Sequence, residues 1–303
     1  MSGKGKNAIA DVKNAVVKQL DQNGNGELDI SDVIALAIKI PGIHIKRDEF
    51  LKRELFKNHQ PEVIEAAVAT TPAAAGISAS EIDKIADEVI KYERNCVSGI
   101  SAALGTPGGW AMAATIPADI VQYYGYTLRA TQKLLYLYGF PEIDSEEEGL
   151  QLDTETLNTI ILCLGVMNGV AGANNAIKGM AKALAIGVEK KLLNAALTKG
   201  AFYPFVKKVM TWFGVKLTKS VFAGFFKKAI PIVGGVVGGS ITFLSFKPCC
   251  IRLKDALADT MLSNPGHVST EQENAVYESI VTGEFDRIIL EDDDDYVVTS
   301  EEE

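Results

Sequence analysis

PADIVQYYGYTLRATQKLLYLYG, residues 117–139, reads as one long helix with both ends marked. Pro117 suits a first turn, where a missing N–H has no partner to lose, and Asp119 suits the positive end of the aligned peptide dipoles. Gly139-Phe140-Pro141 supplies the stop. At about 100° per residue, Asp119, Gln122, Tyr126, Arg129 and Lys133 share one stripe about 80° wide. The stripe has two readings. Arg129 and Lys133 would bind a lipid headgroup phosphate or another small anion, or the stripe is simply the wet face of an amphipathic helix.

Outward from this helix, alternating strand patterns are few and helical spacings many, so the expected class is all-α. Ser80-Glu-Ile-Asp83 looks like a helix start, with the helix running to about Ile100. Three stretches carry no charge: Cys96 to Ala118, Thr156 to Ile177 and Ala229 to Phe246. They are long enough to raise the membrane question, yet Thr106-Pro-Gly-Gly109 breaks the first, and Asn168, Asn174 and Asn175 interrupt the second. Gly165, Gly169 and Ala173 recur every four residues, as do Gly234 and Gly238. On a helix this spacing makes a smooth strip where a second backbone approaches closely, inside a protein core or within a bilayer. The architecture expected is a multi-helix bundle with glycine-patterned apolar helices.

DQNGNGELDISD, residues 21–32, has the spacing of a calcium loop. Oxygen side chains stand at positions 1 (Asp21), 3 (Asn23) and 5 (Asn25). Gly26 takes the sharp turn, Glu27 offers its backbone carbonyl, and Asp32 closes the loop at position 12. A hard cation needs six to eight oxygens at about 2.3–2.6 Å, and this pattern supplies them. Helical spacing on both sides, with Pro41-Gly42 ending the second helix, gives the helix–loop–helix context. The stretch resembles the EF-hand family, the alternative being an Asx-rich turn between two helices with no ion, and it has one departure from the family pattern. Asp32 stands where most EF-hands have Glu, and its shorter reach weakens calcium or tilts the site toward magnesium. Asp144 to Glu155 partly imitates a second loop but has Gln151 at the apolar position, so it reads as an acidic solvated linker before a helix that Asp153 or Thr154 caps.

The chain has 303 residues and a net charge of −9, and the charge is partitioned. From Lys178 to Lys228 there are eleven lysines against one acid, Glu189, while the tail from Glu284 on is acidic. Within the basic block, Lys207, Lys208, Trp212, Lys216, Lys219, Lys227 and Lys228 interleave cations with aromatic residues such as Phe202, Phe205 and Phe213. That combination suits a membrane interface, where each lysine near an anionic surface contributes about 1 kcal/mol. The alternative is a core-facing aromatic stripe with a solvated lysine face. Nucleic acid is disfavoured because the chain is acidic and the block nearly lacks arginine. Four cysteines make no disulfide framework, which points to a reducing compartment. The opening Met-Ser-Gly-Lys-Gly-Lys has no apolar signal-peptide core. No nucleophile elbow, phosphate loop or zinc spacing occurs among the motifs, and His44, His59 and His267 are scattered, so no catalytic residue is named.

The segment Gly105 to Asp119, continuing through Thr127-Leu-Arg129 to Leu135-Tyr-Leu-Tyr138-Gly139, resembles the EcsC family of bacterial proteins. So do Glu93-Arg94 and Ala229-Ile-Pro-Ile-Val-Gly-Gly-Val-Val-Gly-Gly239. The resemblance covers roughly residues 85–260 and implies a bacterial cytoplasmic or membrane-associated protein, without assigning an activity. The expected organisation is an EF-hand-like unit over 1–43, a helical linker region over 44–92, an EcsC-like core over 93–262, and a C-terminal helix with acidic tail over 263–303. The expected function is non-enzymatic: a cytoplasmic protein, peripheral at the inner face of the membrane, that docks on an anionic membrane surface or a protein partner and carries Ca2+ or Mg2+. Two alternatives remain open, an enzyme acting on a lipid or other small anion at the Asp119/Arg129 helix, and a purely structural interaction module.

Overall fold

The computed structural model describes residues 18, 20, 21, 29–104, 112–143, 145–146, 151–214, 233–264 and 266–283; side chains at 102–104, 112–117, 119, 145–146, 151 and 233–242 are outside the description. The chain is all-α, a multi-helix bundle. In order the elements are α1 (Ile30–Ala37), α2 (Arg47–Leu55), α3 (Pro61–Ala69), α4 (Ala79–Leu104), α5 (Met112–Leu137), β1 (Ser145–Glu146), β2 (Gln151–Leu152), α6 (Thr154–Met167), α7 (Ala173–Ile186) and α8 (Lys190–Lys199). A helical stretch over 203–214 follows, then α9 (Val233–Ala258) and α10 (Glu271–Thr282).

The centre of the bundle is α4 against α9, with α5 packed on both. On α4 the buried apolar positions are Ile82, Ile85, Ala86, Val89, Ile90 and Val97. On α9 they are Phe246, Cys250, Leu253, Ala256 and Leu257. Both sets recur at three or four residues, which keeps one face of each helix turned inward. The helix first read from Pro117 begins five residues earlier, at Met112. From Ala130 to Phe140 every residue of α5 and its exit turn is buried, because α1, α2, α4, α6 and α9 surround it. Gly139 closes that turn at φ 91°, a backbone region glycine enters without a Cβ clash.

The 22-residue uncharged stretch is two helices rather than one. Helix α6 stops at Met167, Gly169 and Gly172 take left-handed φ values of 70° and 84°, and α7 starts at Ala173. The strip of small residues expected at 165, 169 and 173 is therefore divided. Gly165 alone keeps the expected role on α6: a Cβ there would lie 2.5 Å from Val209 Cγ2 of the 203–214 stretch. Among the described residues no helix is long and apolar enough to cross a membrane.

Caps are legible locally. Asp153 Oδ1 accepts from Thr156 N–H at 2.6 Å and starts α6, as its sequence position indicates. The segment before it, read as a linker, contains a two-residue antiparallel ladder pairing Ser145 with Leu152 and Glu146 with Gln151. Thr270 and Glu273 make a reciprocal capping box on α10. Arg47 on α2 donates to the carbonyls of Val68 (2.6 Å) and Thr70 (2.8 Å) at the C-terminal end of α3, and to Phe140 O at 3.2 Å. Guanidinium suits this place because the last carbonyls of a helix carry its negative end. Burial lowers the pKa of Arg47.

Candidate functional site: a buried ion cluster beneath the N-terminal segment

Glu93 projects from the apolar face of α4 and is fully buried. An isolated carboxylate there would be strongly disfavoured, so it needs paired cations. Helix α5 provides two, one turn apart. Arg129 Nε donates to Glu93 Oε2 at 3.1 Å and Nη2 to Oε1 at 3.2 Å, a two-nitrogen fork on one carboxylate. Lys133 Nζ lies 2.5 Å from Glu93 Oε1. Its ammonium also sits over the rings of Tyr92 and Phe50, at 5.6 and 5.8 Å from their centroids. Two cations against one anion leave the cluster with a formal excess of one positive charge.

The same face of α5 grips the segment that leaves α1. Arg129 Nη1 donates to Gly42 O at 2.6 Å. Gln132 Nε2 donates to Ile43 O at 2.9 Å, and its Oε1 accepts from Ile45 N–H at 2.9 Å. Three backbone residues after the Pro41 break, Gly42, Ile43 and Ile45, are thus held by two side chains of the core. Gly42 adopts φ 81°, and a Cβ there would meet Arg129 Nη1 at 3.6 Å. That contact is an ordinary van der Waals distance, so it is the left-handed turn conformation that favours glycine at this position.

Of the stripe expected on this helix, Arg129 and Lys133 converge on one partner, while Tyr126 lies beside Arg129, its ring centroid 5.5 Å from the guanidinium carbon. Burial raises the pKa of Tyr126. Gln122 is half-buried, and the side chain of Asp119 is outside the description. Glu93, Gln132 and Gly42 were missed as site residues. Glu93 had a signal: it falls on the i, i+3/i+4 stripe of Ala86, Ile90 and Val97, where a lone acid demands a partner. Gln132 and Gly42 had none, because their pairing joins residues almost ninety positions apart.

In the calcium-like loop, Asp21 is half-buried and Asp32 is buried at 3 % exposure. Asp29 caps α1, accepting from Asp32 N–H at 3.0 Å. Asn23, Asn25 and Glu27 lie outside the described residues. Every donor in the motif is oxygen, which suits a hard cation and not a soft one. Among the described residues no group of three or more His, Cys, Asp or Glu side chains converges as a metal site.

In the basic block, Lys207 is exposed and Lys208 and Trp212 are half-buried, whereas Lys216, Lys219, Lys227 and Lys228 lie outside the described residues. Phe202, Phe205 and Phe213 are buried. The described aromatics thus divide, with these three in the core and Tyr203 exposed. A separate cleft of about 400 Å³ opens between the end of α5 and helices α6–α8, with Leu135, Ile143, Met180 and Leu193 inside and exposed Glu142 and Lys190 along it. None of the five stripe residues lines it.

No family model matches the chain, and no curated protein or solved structure matches it either.

Proposed function

We propose that the chain is a non-enzymatic, divalent-cation-responsive helical protein of EcsC-like type that docks peripherally on an anionic membrane surface. The observation that carries the cation-responsive part is the bond from Arg129 to Gly42 O, together with the ion pairs from Arg129 and Lys133 to Glu93. Arg129 and Lys133 of the α5 stripe are committed to internal partners. One of those partners is the segment that follows α1, and α1 begins inside the loop 21–32. An ion held by Asp21, Asn23, Asn25, Glu27 and Asp32 would bias α1, and α1 is packed on α5. The shorter Asp32 makes magnesium a competitor for calcium. The exposed Lys207, within the lysine-rich stretch, supports the surface-docking part.

Amide hydrogen exchange with and without Ca2+ or Mg2+ tests the coupling. Protection of residues 38–45 and of the middle of α5 rises with cation in the wild type and stays unchanged in Asp21→Ala. Equal exchange with and without cation in the wild type overturns the coupling. Co-sedimentation with anionic vesicles tests the docking, and no sedimentation in either condition overturns it.

The cleft favours a second reading, in which the core binds a small amphiphile. Quenching or displacement of an apolar fluorescent probe, lost in Met180→Gln, would support it. An enzyme at the Asp119/Arg129 helix has less support, because Arg129 and Lys133 already neutralise Glu93.

A further inference from the structure

Arg94 and Ser98 stand one turn apart on α4, on the side of the helix away from the Tyr92–Lys133 contact. Both are half-buried. Arg94 Nε and Ser98 Oγ are sealed from solvent and make no hydrogen bond among the described residues. Arg94 has a single hydrogen-bond acceptor among the described residues, the neighbouring Asn95 Oδ1, at 3.3 Å from Nη2, and no carboxylate pairs with it. A buried donor without an acceptor costs about 1–3 kcal/mol, more when it is charged, so two in adjacent turns call for an explanation.

The cover over Arg94 is Phe243 of α9. Its ring lies 3.9 Å from the guanidinium carbon, and the residue is 41 % exposed. Leu244 beside it is 70 % exposed, and Lys247 and Pro248, one turn further along α9, are exposed as well. On α4, Lys91 is exposed one turn before Arg94. The nearby Asp87 is engaged by Lys254 at 3.0 Å. One edge of the α4/α9 pair therefore carries apolar side chains toward water, basic side chains around them, and two sealed donors one turn apart, of which Arg94 lies under the Phe243 ring.

We propose that this edge, built from Arg94, Ser98, Phe243, Leu244 and Lys247, is the face that docks on an anionic phospholipid surface. It rests on the membrane reading above and names the docking face for it, distinct from the 207–228 block. Phe243 and Leu244 enter the interfacial layer. As Phe243 turns outward, Arg94 Nε and Ser98 Oγ gain the headgroup phosphate oxygens as acceptors. A soluble anion satisfies the donors but leaves Phe243 and Leu244 in water, and an apolar ligand does the reverse. A phospholipid surface meets both demands, with the basic rim matching its charge.

Sedimentation with vesicles of phosphatidylserine and phosphatidylcholine, against phosphatidylcholine alone, separates the outcomes. Wild type is expected to bind the anionic vesicles, Arg94→Gln about fivefold more weakly, as for loss of one surface-facing cation, and Leu244→Ser more weakly still. Lys207→Gln/Lys208→Gln, in the lysine block, is expected to lose less binding than either of these. If that pair alone loses binding, the docking face is the lysine block; this proposal fails while the membrane reading stands. If wild type binds neither vesicle, both fail. Leu244→Trp gives a readout independent of any folding defect at Arg94. Brominated acyl chains are expected to quench its added emission, and no added quenching overturns the proposal.

Discussion

Glu93 on α4 and Lys133 on α5 meet at 2.5 Å with both side chains almost entirely excluded from water. Arg129, the second cation on that carboxylate, keeps a fifth of its side chain exposed and turns its third nitrogen, Nη1, to Gly42. The cluster thus joins three segments, α4, α5 and the exit from α1. Removing its single anion leaves two partly or fully buried cations without a counter-charge. Glu93→Gln is expected to destabilise by about 3–5 kcal/mol, the range for breaking a buried pair by one partner. Urea unfolding measures it. A loss below about 1 kcal/mol would mean that water reaches the cluster.

His267 connects α9 to α10 through both ring nitrogens. Nδ1 lies 2.9 Å from Asp259 and Nε2 lies 2.8 Å from Glu273, and Lys178 of α7 reaches the same two carboxylates. Burial works to lower the imidazole pKa, but the hydrogen bonds to Glu273 and Asp259 outweigh it and leave the value above the ordinary 6.5. A raised folded value means the contribution is complete below 6.5 and is lost as pH rises through the folded value. Asp259 runs the other way. Its pKa is lowered, chiefly by the Lys178 hydrogen bond, so its contribution holds above 3.8 and fades as pH falls further. Between pH 6 and 9, α10 in the wild type is expected to lose exchange protection, while in His267→Gln protection is lower and flat. Parallel pH slopes in the two proteins would remove His267 from this role.

Gly179 lets α7 approach α10. A Cβ at that position would lie 2.5 Å from Val276 Cγ1 and 2.8 Å from its Cβ. Gly179→Ala is expected to destabilise by about 1–3 kcal/mol through overpacking. Val276→Ala should be less harmful in that background than in the wild type, because it removes the nearer clashing atom, Cγ1, and leaves only the Cβ contact. Strict additivity of the two changes in thermal unfolding would show that the helices separate freely.

Cys163 and Cys250 are fully buried, and burial pushes both thiols up, Cys163 to about 12. Thiolate is the reactive form, so both are expected to resist iodoacetamide at pH 8 in the native protein and to react after denaturation. Mass spectrometry of the labelled peptides reads the result. Native-state labelling at Cys163 would place solvent inside the α6 core.

Particular residues show how far the sequence could be read. The stop at Gly139 and the cap at Asp153 are local: each depends on residues within four positions, and both stand where the sequence puts them. The start of α5 differs: the helix begins five residues ahead of a proline that local rules place in the first turn. The break at Gly169–Gly172 was hidden as well. Small residues four apart suit a continuous helix and a pair of left-handed turns equally well, and burial of α6 and α7 against different neighbours selects the turns.

The candidate site divides in the same way. Periodicity alone puts Arg129 and Lys133 on one face of a helix and makes the chain read as helical, because apolar spacing and helix caps are properties of neighbouring residues. What those cations do was settled by the fold. Helix α4 brings Glu93 under them, and the exit from α1 brings the Gly42 carbonyl beside Arg129. Contacts across 36 and 87 positions of chain leave no periodic trace. A side chain's reach is fixed by its sequence, but the partner that takes its charge out of solvent is fixed by which helices pack together.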